Sequence, residues 1–188
     1  MKKVLAALGI IVVFCLIVAV GLIGMYNKLV SLNESVTTEW SQIDNQLQRR
    51  NDLIPNLVNT VKGYAKHEKE LFEFVANART KIGSAKTINE KIKANQEMDG
   101  AISRLLMIAE QYPQLRASEN FARLQDELAG TENRVAVARQ RYNETVKEYN
   151  VLVKRFPSNI VASYAGFEKK DSYFKAEEAA REVPKVAF

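Results

Sequence analysis

Two adjacent guanidinium groups, Arg49-Arg50, are the residues most able to do chemistry in this chain of 188 residues. Paired arginines recognise carboxylate or phosphate groups through planar, bidentate hydrogen bonds. Asp44 and Asp52 lie within helical reach, however, so an ordinary ion-pair network is favoured over a site for an acidic ligand. The single histidine, His67, begins the text His67-Glu68-Lys69-Glu70-Leu71. That opens like a zinc-binding His-Glu-x-x-His, but Leu71 stands where the second imidazole is required. One histidine cannot supply the two Glu-x-x-His pairs of a di-iron bundle either. His67 therefore reads as a solvated residue in a charged turn, and Glu68, Glu70 and Glu73 read as surface charges. The eight glycines form no Gly-x-Gly-x-x-Gly and no phosphate loop. The expectation is a chain without catalytic residues, metal or cofactor.

The other polar residues of interest fall on apolar seams. Stepping alternately by four and three, Leu29, Asn33, Val36, Trp40, Ile43, Leu47, Arg50, Ile54, Leu57, Val61 and Tyr64 form one stripe of a helix. Asn33 and Arg50 interrupt it. Pro55 falls within the same stretch, and because the period resumes in register it predicts a kink rather than an end. A second seam runs through Phe121, Leu124, Leu128, Thr131, Val135, Ala138, Tyr142, Thr145, Tyr149, Leu152 and Phe156. Polar groups on such seams fix register at some cost in stability. Tyr142 and Tyr149 place two rings on one stripe, and their hydroxyls need partners. Asn143 and Asn150 follow them. The reading favoured is internal hydrogen bonding that aligns helices, and the alternative is a polar groove for a partner helix or peptide.

What must position these residues starts at the N-terminus. Val4 to Met25 carry no charged side chain, and a helix of that length spans roughly 33 Å, enough for a hydrocarbon core. An uncleaved anchor is favoured over a signal peptide, whose apolar core is shorter. A lipid-modified Cys15 is third, because Phe14 occupies the place of a small residue. Lys2 and Lys3 precede the segment while only Lys28 follows closely, which predicts a cytoplasmic N-terminus and an external domain. Cys15, the lone cysteine, lies inside the span, so no disulfide or thiol nucleophile is available to the rest. Within the span Cys15 and Ala19 give only a weak small-xxx-small signal for dimerisation. Net charge is +5; Lys2 and Lys3 belong to the tail and the remaining +3 is spread along the helices, which argues against nucleic acid.

The helix is expected to run on from the span through Tyr26–Val30. Gly63 and the charges from Lys66 to Glu70 predict a turn, with one continuous helix over 26–83 as the alternative. Gly83-Ser84 and Thr87 mark a clearer break. A third helix carries Ile88, Ile92, Met98, Ile102, Leu105, Leu106 and Ala109, with Gly100 as its weak point, and Tyr112-Pro113 stops it. Ser118 caps the last long helix, which Phe156-Pro157 closes. The expected class is all-α: a single transmembrane helix, then an antiparallel up-and-down four-helix bundle with long first and last helices. The divisions are 1–25 for tail and anchor, 26–157 for the bundle, and 158–188 for a less regular tail with aromatic anchors at Phe167, Tyr173 and Phe174.

Three blocks of this text resemble the LemA family: Tyr26 to Glu68, Arg104 to Asn150, and FPSNIVASYAGF from Phe156 to Phe167. Pro184, Val186 and Phe188 resemble its ending, and the likeness is thinnest from Thr80 to Gln96. The resemblance implies a bacterial inner-membrane protein with one N-terminal span and a helical bundle, and no established catalytic residues. Its densest motif residues, Trp40, Gln42, Asp44, Arg49, Arg50, Asp52, Pro55 and Asn56, fall on the first helix, which makes that region the candidate partner surface. The functional expectation is a non-enzymatic, membrane-tethered scaffold. It contacts the bilayer through residues 4–25 and protein partners in the envelope, with homo-oligomerisation compatible. The alternative is a small-ligand or lipid-binding bundle with a cavity lined by Arg50, Tyr142 and Tyr149.

Overall fold

The computed structural model describes residues 2–174, and all regular structure among them is helical. In chain order the helices are α1 (Lys2–Tyr64), α2 (Lys69–Ser84), α3 (Ile88–Gln111), α4 (Pro113–Arg116), α5 (Glu119–Lys154) and α6 (Ser158–Tyr164). The all-α class and the long apolar first helix are as expected. The sequence reading did not anticipate α4 or α6. The expected ending at Pro184, Val186 and Phe188 lies outside the described residues.

Helix α1 continues from the apolar segment through Tyr26–Val30 and on past Pro55. Proline has no N–H to offer the carbonyl of Asn51, yet Leu47, Arg50, Ile54 and Leu57 are buried on either side and hold the helix together. The chain turns at residues 65–68, so α1 and α2 are separate helices. One stretch of α1 is long and apolar enough to cross a membrane, and none of it is buried. Leu5, Ile10, Phe14 and Ile17 are each 65–70% exposed.

By their internal contacts the helices divide into two units, one of residues 2–40 with Arg141–Asp171, the other of Ser41–Gln140 with residues 172–174. In the first, Leu29, Leu32 and Val36 of α1, Tyr142, Val146 and Tyr149 of α5, and Ala162 of α6 are buried. Tyr26 meets Phe167 edge-on at 6.0 Å between ring centroids, and Trp40 meets Tyr142 in the same way at 5.7 Å. At the start of α6, Ser158 Oγ lies within hydrogen-bond distance of two carbonyls, Leu152 O (2.6 Å) and Arg155 O (2.9 Å), and its one proton ties this helix to the end of α5. Helix α6 ends at Gly166, whose φ of 74° is the left-handed conformation that favours glycine. There the N–H of Phe167 reaches Ala162 O at 2.9 Å and that of Gly166 reaches Ser163 O at 3.4 Å, a Schellman closure.

The second unit has a continuous apolar core that includes Ile54, Leu57 and Val61 of α1, Val75 of α2, Met98 and Leu105 of α3, and Phe121 and Leu128 of α5. Helix α3 starts at a capping box in which Thr87 Oγ1 accepts from Glu90 N–H (3.2 Å). Glu90 in return accepts from the N–H groups of Lys86 (2.8 Å) and Thr87 (3.2 Å), and these two bonds, in that order, hold its carboxyl below the ordinary range. Polar pairs give the helix directions. Asp44 of α1 pairs with Lys91 early in α3, and Glu68 just after α1 accepts from Tyr112 just after α3 (3.1 Å). In α5 the order reverses, with Asn120 near Thr60 (3.3 Å) and Glu132 against Arg50. Glu68 is therefore half-buried and bonded, not the free surface charge expected. Its carboxylate pushes the Tyr112 hydroxyl above the usual tyrosine range.

The seams drift from strict alternation because an α-helix has 3.6 residues per turn rather than 3.5. Ala65 is buried where Tyr64 was expected, Val146 where Thr145 was, and Phe156 is 75% exposed at the end of the last seam. Leu57 has no exposed surface and sits at the centre of its core, whereas Gln42 is exposed. In denaturant melts of the full chain in detergent, Leu57→Ala is expected to cost about 2–5 kcal/mol, and Gln42→Ala no more than about 0.5 kcal/mol.

Candidate functional site

The most concentrated charge chemistry lies in the second unit, around Arg50. Arg50 is 1% exposed, and three helices contribute to its surroundings. Arg50 Nη1 lies 2.5 Å from Asp99 Oδ1 on α3 and donates to Glu132 Oε2 on α5 at 2.7 Å. Arg50 Nη2 reaches Asn95 Oδ1 at 3.4 Å, while Asn95 Nδ2 donates to Lys91 O at 2.8 Å. Arg139 of α5 closes the cluster from the other side, 3.5 Å from Asp99 and 3.8 Å from Glu132. Its guanidinium also stacks over the Phe174 ring at 5.1 Å. Two cations and two anions thus neutralise one another.

A buried guanidinium is tolerated only when its charge and its N–H groups find partners. Here one nitrogen, Nη1, serves both carboxylates. The close approach to Asp99 is off-angle for a hydrogen bond, so Oδ1 counts as an ion-pair partner only, and Arg50 Nε has no acceptor among the described residues. Burial pushes the Asp99 carboxyl above the usual aspartate range, against the pull of Arg50 and then Arg139 and with a smaller push from Glu132. Such a cluster aligns α1, α3 and α5. Among the described residues no group of histidine, cysteine or carboxylate side chains could hold a metal ion.

The sequence pointed to Arg50 but not to its partners. Asp44 instead pairs with Lys91 at 2.8 Å, and Asp52 accepts from Gln48 Nε2 at 3.1 Å on the exposed face. Arg49 and Gln42 are exposed. Asp52 stands two residues from Arg50, a spacing that faces another way around a helix. Asn95, Asp99, Glu132 and Arg139 were missed. The available signal was the apolar seam: a charge at Arg50 demands countercharges from whichever helices share that core.

Tyr142 and Tyr149 belong to the first unit. Trp40 packs edge-on against Tyr142. Tyr149 Oη donates to Glu168 O at 2.9 Å, and burial pushes its hydroxyl above the usual tyrosine range. The neighbouring Asn150 holds the following strand of chain in both directions, donating to Lys170 O at 2.7 Å and accepting from Lys170 N–H at 2.9 Å. Thr131, the other seam residue, returns its hydroxyl to Leu128 O at 2.7 Å.

Asn56 lines a groove of about 430 Å³ between α1 and α5 in the second unit. Its other principal polar walls are Asn59, Thr60, Asn120, Arg123 and Glu127, with Leu53 and Leu124 beneath. Pro55, half-buried, lies beside it in sequence. Three side-chain amides in one open groove offer both donors and acceptors.

Residues 39–188 match the family described as the LemA family. The chain is also similar to the magnetosome protein MamQ 1 of Paramagnetospirillum magneticum, with 27% identity over 185 residues, 85% of this chain and 67% of that protein. Similarity to the magnetosome protein MamQ of Magnetospirillum gryphiswaldense is equal in degree, 27% over 187 residues, 85% of this chain and 67% of the relative. Protein LemA of Metamycoplasma hominis is 25% identical over 167 residues, covering 87% of this chain and 73% of that protein.

The raised Asp99 carboxyl has a consequence for stability. A carboxyl whose folded pKa exceeds its unfolded one binds more protons when folded across the interval between them, so its contribution to stability shrinks as pH rises through that interval. From the ordinary aspartate range upward, the stability advantage of the parent chain over Asp99→Asn is expected to decline with pH in denaturant melts. An advantage that grows with pH would contradict this electrostatic assignment.

Proposed function

The chain belongs to the LemA family, and we propose that it serves there as a membrane-anchored, non-enzymatic scaffold that binds protein partners of the bacterial cell envelope. The uncovered apolar stretch of α1 supports the anchor, since no other part of the protein among the described residues shields it from water. The matched relatives carry the names of a magnetosome protein and of LemA, and neither name specifies a reaction.

In this reading α1, α2, α3 and α5 form an up-and-down four-helix bundle in the second unit, the order supported by the Asp44–Lys91, Glu68–Tyr112 and Arg50–Glu132 pairs. The basic residues Lys2 and Lys3 ahead of the span, against Lys28 behind it, favour a cytoplasmic N-terminus with the bundle on the far side. Arg50 contributes alignment rather than catalysis, because its charge is met by carboxylates from two other helices.

The observation that carries the scaffold reading is the groove at Asn56. Its amide side chains suit the backbone and polar side chains of a protein segment, with Leu53 and Leu124 giving an apolar floor. A photoreactive residue at Asn56 or Asn120, in whole cells, is expected to capture the same discrete proteins. The exposed position Lys93, away from the groove, is the control and captures none of them. Equal capture at all three positions, or none at the groove, would sink the proposal.

A further inference from the structure

Helix α6 presents two opposite stripes. Ser158 and Ala162, four residues apart, are buried, whereas Ile160 and Tyr164, also four apart, are 59% and 96% exposed. Phe156, in the turn just ahead, adds another uncovered ring. A seven-residue helix showing this much apolar surface needs something to cover it.

Its position says what. Ile160, Val161 and Tyr164 face Leu22, Ile23 and Tyr26 of α1 across a cleft of about 370 Å³ lined by those six residues alone. Leu22 and Ile23 belong to the last turn of the uncharged run Val4–Met25. With α1 inserted in a bilayer, α6 is therefore level with the boundary between acyl chains and headgroups. The charges fit that depth. From Tyr149 to Phe167 the chain carries Lys154 and Arg155 and no acidic residue, and after the span Lys28 comes before the first carboxylate, Glu34. Tyr26 and Tyr164 are the amphipathic ring type found at membrane interfaces, and long basic side chains reach from there to phosphate groups.

We propose that α6 is a second membrane element, lying in the interface of the bilayer that α1 crosses. Phe156, Ile160 and Tyr164 sink among the upper acyl carbons, a phospholipid chain fills the cleft against Leu22 and Ile23, and Lys154 and Arg155 meet anionic headgroups. The chain then touches the bilayer at two places. The proposal rests on the reading of α1 as a span.

Tryptophan reporters separate the two. Trp40 is the only tryptophan, so Trp40→Phe gives a silent background, its fold checked by circular dichroism. Tyr164→Trp and Ile160→Trp then report on α6, and Phe14→Trp reports on the span. The full chain is reconstituted into phosphatidylcholine–phosphatidylglycerol vesicles with lipids brominated near the top of the acyl chain for the α6 positions and near its end for Phe14→Trp. The expected result is loss of emission and a blue-shifted maximum at both α6 positions, as at Phe14→Trp. Quenching of Phe14→Trp with red-shifted, unquenched emission at both α6 positions would overturn the proposal and leave the anchor standing. An unquenched Phe14→Trp would remove the anchor and the proposal with it. Quenching at α6 that appears only when protein is diluted in lipid would assign the face to a second copy, which also overturns it.

Discussion

A single buried guanidinium organises the larger of the two units. Arg50 cannot be withdrawn from water unless countercharges arrive with it, and Asp99 and Glu132 bring α3 and α5 to α1 at one defined height. Apolar seams alone tolerate sliding by a turn, because leucine packs against leucine at several registers. A charged residue does not, since a shift of one turn leaves it unpaired in the core. Arg139 completes the neutralisation from the side of α5, and Asp99 answers to both arginines. The cost is visible in Arg50 Nε, which has no acceptor among the described residues, and in the upward displacement of the Asp99 carboxyl.

The smaller unit solves a different problem with amides and rings. Tyr149 and Asn150 lie side by side at the end of α5 and fix the chain at Glu168 and Lys170 by three hydrogen bonds. Tyr26 and Phe167 pack together just past the apolar run, so the segment that follows α6 is held close to where α1 leaves its uncharged stretch. Local capping makes this possible. Ser158 turns its hydroxyl back on the end of α5 where α6 begins, and Gly166 stops that helix. Neither device depends on hydrophobic periodicity.

That contrast explains which parts of the molecule could be read from its sequence. The apolar run, the first and last seams and the breaks at residues 65–68, 85–87 and Tyr112-Pro113 follow from composition and spacing, which are local. The two short helices α4 and α6 have too few residues to show a period. Arg50 was visible as a charge on a buried seam. Its partners were not, because nothing local distinguishes Asp99 and Glu132 from the many carboxylates that face solvent. The same applies to Glu68, whose neighbour Tyr112 arrives from the end of another helix. The groove at Asn56 is likewise a product of two helices meeting, and one of them supplies Asn120 and Arg123.

Arg50 and its carboxylates act as an alignment device, strong as a pair and dispensable together. A double-mutant cycle in denaturant melts of the full chain measures this directly. Arg50→Met or Asp99→Leu alone leaves an uncompensated buried charge and is expected to cost about 3–5 kcal/mol. The double substitution is expected to cost less than either single one, so the coupling exceeds about 3 kcal/mol. Losses that simply add, with no coupling between Arg50 and Asp99, would show that the two residues do not act as a pair.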